Sequence, residues 1–89
     1  MFRMWMKIFK ENRLVQDTVI ALDGPDMSRT AKVFQAVADA SLIFDLSQPI
    51  WLDTNIREFK RHNKTRFTQD NFVEEIPFDF LEIHVIEED

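Results

Sequence analysis

The chain contains no cysteine, which removes disulfides, thiolate nucleophiles, iron–sulfur clusters and cysteine-ligated zinc together. That fits a reducing cytoplasm, the compartment expected here. Its only glycine is Gly24. Calcium loops alternate oxygen ligands around a glycine, so the later acids Glu74, Glu75, Asp79 and Glu82 do not read as such a loop. No apolar run approaches the roughly 18 residues of a membrane span. The N-terminal MFRMWMKIFK is apolar and basic, but Arg3 and Lys7 interrupt the stretch that a signal peptide needs. Positive charge is also in deficit: a net charge of −5 argues against general nucleic-acid binding, which draws its affinity from phosphate neutralisation. Neither a membrane nor a cofactor is expected.

What is present describes one globular domain, 1–89. An apolar content of 45% and an aromatic content of 12% supply a core but leave no room for a second one. A domain this small buries only about 60 to 65% of its unfolded surface, so its nine phenylalanines and two tryptophans are needed inside. Charge is distributed unevenly. Residues 57–66 carry Arg57, Lys60, Arg61, Lys64 and Arg66 against Glu58, whereas Asp70 to Asp89 contains eight acids and no lysine or arginine. Such asymmetry can orient a charged partner. It can equally be two solvated surfaces that neutralise each other, each exposed pair worth roughly 0 to 1 kcal/mol.

Phe2, Met4, Met6 and Ile8 alternate with Arg3, Trp5 and Lys7, the period of a strand. The polar run Lys10-Glu11-Asn12-Arg13 suits a hairpin turn, and Leu14 to Leu22 resumes β-prone residues that pair antiparallel with the first strand. Asp23-Gly24-Pro25-Asp26 is the strongest turn signal. Asp26 or Ser28 can then cap one long helix, Arg29 to about Phe44. Thr30, Val33, Phe34, Val37, Ala40, Ser41 and Phe44 form its apolar side, and Arg29, Lys32, Gln35 and Asp39 its polar side. Pro49 follows its end. Ile50-Trp51-Leu52 reads as a short third strand, and Asn55 to His62 as a brief helix with Asn55 and Glu58 at capping-box spacing. Lys64 to Phe67 reads as a minor strand and Thr68 to Glu75 as a helical turn. Phe78 to Glu87 is the clearest strand, with Leu81, Ile83 and Val85 on one face and Phe80, Glu82, His84 and Ile86 on the other.

This order of hairpin, long helix, short strand, irregular segment and final strand resembles that of the β-grasp, ubiquitin-like domains. The resemblance implies an α+β fold of ββαββ order, a mixed sheet with the helix across it, and parallel pairing of the first and last strands at its centre. Those two strands are the most apolar here, as central placement requires. Ubiquitin-like modifiers and sulfur carriers end in Gly-Gly, whereas this chain ends Val85-Ile86-Glu87-Glu88-Asp89, so conjugation and sulfur transfer are not expected. The segments WMKIFK, PIWLDTNIREFKRHNKTRF and FLEIHVIEED also resemble those of short uncharacterised proteins of clostridia-like bacteria, which implies a bacterial cytoplasmic setting and no site.

Two surfaces remain as candidates. If Met4 and Met6 face the helix, Trp5 points to the other side of the sheet together with Phe80, His84 and Ile86, and an exposed aromatic patch there is a protein-binding or homodimer surface. The competing possibility is that Asn55 to Glu75 folds over that face. The second candidate is the basic segment: Arg57, Lys60, Arg61, Lys64 and Arg66, with Phe59 and Phe67 interleaved, could hold RNA or phosphate by charge and stacking. His62 and His84 lack metal-site spacing, and no nucleophile is spaced beside His62, so no catalytic residue is assigned. The sequence therefore reads as a non-enzymatic interaction module using the sheet face, with anion binding through 57–66 as the alternative.

Overall fold

Strand β1 (Phe2–Lys10) is two-faced as its alternation requires: Phe2, Met4, Met6 and Ile8 are buried, while Arg3, Trp5, Lys7 and Phe9 lie on the opposite side. It turns through Glu11 and Asn12 into β2 (Arg13–Leu22). Both turn residues have positive φ, 53° and 64°, the two-residue geometry whose twist matches that of the flanking strands. A register break between Ile8 and Phe9 leaves Val15 as the extra residue of a bulge. The computed structural model describes residues 1–88 and places this hairpin in a four-stranded sheet of order β2-β1-β4-β3 with β3 (Lys64–Phe67) and β4 (Phe80–Glu87). Helices α1 (Arg29–Ile43) and α2 (Asp53–His62) form the second layer of this α+β fold.

Every neighbouring pair of strands is antiparallel. The mixed sheet and parallel central pair implied by the ubiquitin-like resemblance are therefore not what the chain forms: β1 pairs with β4 from Arg3↔Glu87 to Phe9↔Phe80. The reason lies at the hairpin turn. Asp79 donates its backbone N–H to Phe9 O (2.9 Å) and accepts from the Glu11 N–H through Oδ2 (2.8 Å). Strand β4 thus enters the sheet beside the end of β1 and can only run back along it.

Ser28 caps α1 by accepting from the Ala31 N–H (3.1 Å). At the other end Asp45, at φ 57°, closes a Schellman motif in which the Leu46 N–H reaches Ser41 O and the Asp45 N–H reaches Leu42 O. The buried stripe is Lys32, Val33, Ala36, Val37, Ala40, Ser41 and Phe44. It is rotated from the expected one: Thr30 and Phe34 are exposed, and Lys32 is buried. Ala36 and Ala40 let the helix approach the sheet closely, while Phe34 packs edge-on against Trp51 at 5.9 Å.

The long helix is not the only one, and Ile50-Trp51-Leu52 is not a strand. Ile50 bonds through both backbone groups to Asn71, its N–H to Asn71 O (2.6 Å) and its carbonyl to Asn71 Nδ2 (2.7 Å), so this segment joins the 3₁₀ turn at Gln69–Asn71 instead of the sheet. Buried Asn55 completes the knot. Its Oδ1 accepts from the Leu52 N–H (3.1 Å) and Asn71 Nδ2 (2.7 Å), and its Nδ2 donates to Thr65 Oγ1 and Arg66 O (both 2.9 Å). All four hydrogen-bonding positions of that amide are used. Trp51 sits above this network with its ring edge-on to Phe59 and Phe67, 5.5 and 5.0 Å away. Phe59, Phe67, Phe72 and Ile76 join the core formed by α1 and the inner sheet face, whereas Val73, at 90% exposure, points outward.

Removing the Asn55 amide leaves buried partners without hydrogen bonds. Asn55→Ala is expected to cost about 2–4 kcal/mol, read as a lowered urea midpoint, whereas Val73→Ser should leave the midpoint within experimental error.

Candidate functional site

The segment 55–75 packs on the same side of the sheet as α1, so the face bearing Trp5 has no helix over it among the described residues. Pairing in register arranges that face into rows across the strands. One row is Val19 (β2), Trp5 (β1), His84 (β4) and Lys64 (β3). The next is Asp17, Lys7, Glu82 and Arg66 in the same strand order, and the third is Leu14, Phe9 and Phe80. A mixed row of Val19, Trp5, His84 and Lys64 and an apolar row of Leu14, Phe9 and Phe80 thus flank a row in which charge alternates in sign from one sheet edge to the other.

The rows bind one another. Trp5 Nε1 donates to Asp17 Oδ2 (2.9 Å), and Lys7 Nζ lies 4.0 Å from the Trp5 ring centroid. Lys7 Nζ is 2.8 Å from Glu82 Oε2, and Arg66 Nε donates to Glu82 Oε1 at 3.1 Å. The Arg66 guanidinium lies 4.4 Å from the centroid of Phe80, which stacks on Phe9 at 5.0 Å. These contacts hold the aromatics in fixed orientations, so the face presents rigid apolar area with little rotamer freedom left to lose.

Burial decides what the face can offer. The central Lys7 and Glu82 side chains retain only 13% and 11% of their exposure, while Arg66 at the edge keeps 61%. Burial raises the Glu82 pKa, but the hydrogen bonds and positive charge of Lys7 and Arg66 outweigh it, so the carboxyl titrates below its ordinary value of 4.5. Trp5, Phe9, Phe80 and His84 are half-buried, and Val19 and Leu14 are exposed. Ile86, expected beside them, lies at a register break between β1 and β4 and is exposed at the margin.

The basic segment does not converge on one point. Arg57 and Arg61 line a shallow cleft with Thr54, Glu58 and His62 on the outer side of α2. Lys64 and Arg66 border the adjoining one, which shares Glu58 and His62. Lys60 is on another side, at the rim of a cleft of about 240 Å³ between α1 and α2 floored by Trp51. Two acids occupy this region: Glu58 accepts from Thr65 Oγ1 (2.7 Å), and Glu82 holds Arg66. Other partners of the acidic tail come from elsewhere, with Arg3 on Glu87 at 3.2 Å and Arg29 on Glu88. Arg29 also donates to Asn63 Oδ1 (2.8 Å).

Sequence reasoning missed the charged row and the place of Phe9. The hairpin centred on Glu11-Asn12 alone sets Gln16 opposite Lys7; the bulge at Val15 moves Asp17 there, and placing Glu82 beside Lys7 requires the direction of β4, which local pattern does not carry. Comparison with protein-family models, with curated proteins and with solved structures found no match to this chain.

Because its pKa is depressed on folding, Glu82 contributes stability that is fully present above its ordinary value of 4.5 and is lost as pH falls through the lower folded value. Thermal melts of the wild type and Glu82→Gln from neutral pH downward should show a gap in Tm that is widest at neutral pH and narrows below that value.

Proposed function

We propose that the chain is a small cytoplasmic, non-enzymatic protein-interaction module whose binding surface is the open sheet face around Trp5, Phe9, Phe80 and His84. The observation that carries this reading is that the irregular chain between β3 and β4 packs on the helical side through Phe72 and Ile76, leaving aligned aromatics uncovered on the other. Tryptophan is enriched among binding hot spots, and phenylalanine among the residues of interface cores. Burying Trp5 and Phe80 against a partner supplies the affinity, and the alternating charges select its orientation.

Anion binding through 57–66 has less geometric support. Lys60 faces away from the other cations, and Arg66 is committed to Glu82 and Phe80. Arg57, Arg61 and Lys64 are the residues on which that alternative would rest.

Photo-crosslinking from probes placed beside Trp5 and beside Arg61 in intact cells separates the two. The sheet-face reading predicts adducts from the first site that are lost with Trp5→Ala and persist when Lys60 and Arg61 are both changed to Glu. Salt-sensitive RNA adducts confined to the second site would replace it with the anion-binding alternative.

A further inference from the structure

The geometry points to a second copy of this chain as the occupant of the open face, paired about a two-fold axis that runs parallel to the strands between β1 and β4. This rests on the open-face reading above and specifies its partner. Across the sheet the charged row reads Asp17, Lys7, Glu82, Arg66, that is minus, plus, minus, plus. A two-fold axis along the strands lays this row over its own reversed copy. Asp17 then faces the second copy's Arg66, and Lys7 faces its Glu82, so every position meets the opposite sign. An axis perpendicular to the strands, within the plane of the sheet, would instead set each charge against itself.

The two flanking rows obey the same operator. Reversal sets Trp5 against His84 and Phe9 against Phe80 of the second copy, and lays the Lys64 stem along Val19. Every contact occurs twice, as in an isologous interface. Within one chain Asp17 and Arg66 lie on opposite edge strands, three strand spacings or roughly 14 Å apart, so they cannot pair with each other. Both are exposed, unlike the central Lys7 and Glu82. The two exposed ends of the row are therefore opposite in sign: Asp17, which accepts from Trp5, and Arg66, which holds Glu82, face each other only across a second copy. The dimer is expected to form reversibly with concentration.

Sedimentation equilibrium of the purified chain, from low micromolar to submillimolar concentration, tests this. The wild type should move from monomer to dimer, and Trp5→Ala should weaken dimerisation at least about tenfold. Asp17→Arg and Arg66→Asp should each be folded, by circular dichroism, and monomeric. Mixed in equal amounts, they should form a heterodimer. The arginine introduced at position 17 of one variant then meets the aspartate introduced at position 66 of the other, while the native Asp17–Arg66 contact is kept at the opposite end. Recovery of association on mixing excludes misfolding as the cause of the single-variant losses. A wild type that is monomeric throughout overturns the homodimer and leaves the open face to a different protein, which the Trp5 crosslinks would still report. A dimer insensitive to Trp5→Ala, Asp17→Arg and Arg66→Asp overturns it by placing self-association on another surface. Failure of the mixture to associate overturns the proposed axis.

Discussion

The buried amide pair of Asn55 and Asn71 decides which side of the sheet the middle of this chain occupies. Asn55 ties the start of α2 to β3, and Asn71 ties the 3₁₀ turn to Ile50, so four otherwise separate segments become one block. Among the described residues no buried side-chain nitrogen or oxygen lacks a partner. Such a network has few alternative arrangements, because any shift strands several polar groups in a low-dielectric interior. With the block fixed, Phe59, Phe67, Phe72 and Ile76 complete the inner core, and the other sheet face is left uncovered by the same geometry.

That division of labour gives the two faces different physics. The inner face is held by apolar burial and by close approach of α1 through Ala36 and Ala40. The outer face is held by lateral contacts: an indole on a carboxylate, an ammonium over an indole, a guanidinium over a phenyl ring. Cross-strand pairs of this kind contribute about 0.2–1 kcal/mol each. Together they tie the aromatic groups of this face to charged neighbours on the same or adjoining strands.

Much of the fold was legible from period and turn chemistry. The alternation in Phe2 to Ile8 and in Leu81 to Val85 assigned inside and outside correctly, and the polar run ending at Arg13 located the hairpin. The direction of β4 was not legible, because it depends on Asp79 gripping the Glu11 turn across 68 residues of sequence. The rotation of α1 escaped for a related reason: Phe34 and Lys32 differ in hydropathy as expected, but Trp51, arriving from a distant segment, supplies Phe34 with a partner at the rim. In the site, Trp5, Phe80 and His84 followed from periodicity alone. The alternating charges came into view only with the register.

The antiparallel centre formed by β1 and β4 also governs the order in which the chain can fold during synthesis. The hairpin and α1 are all near one another in sequence, but β1 finds its second neighbour only when residues 80–87 arrive. Until then Met4, Met6 and Ile8 have a partner strand on one side only, and the nascent chain carries an unpaired central edge. Distant pairing of this sort slows folding, since loop closure precedes any reward from contact. A ribosome that pauses before β4 is made would hold a protein whose missing piece is its middle.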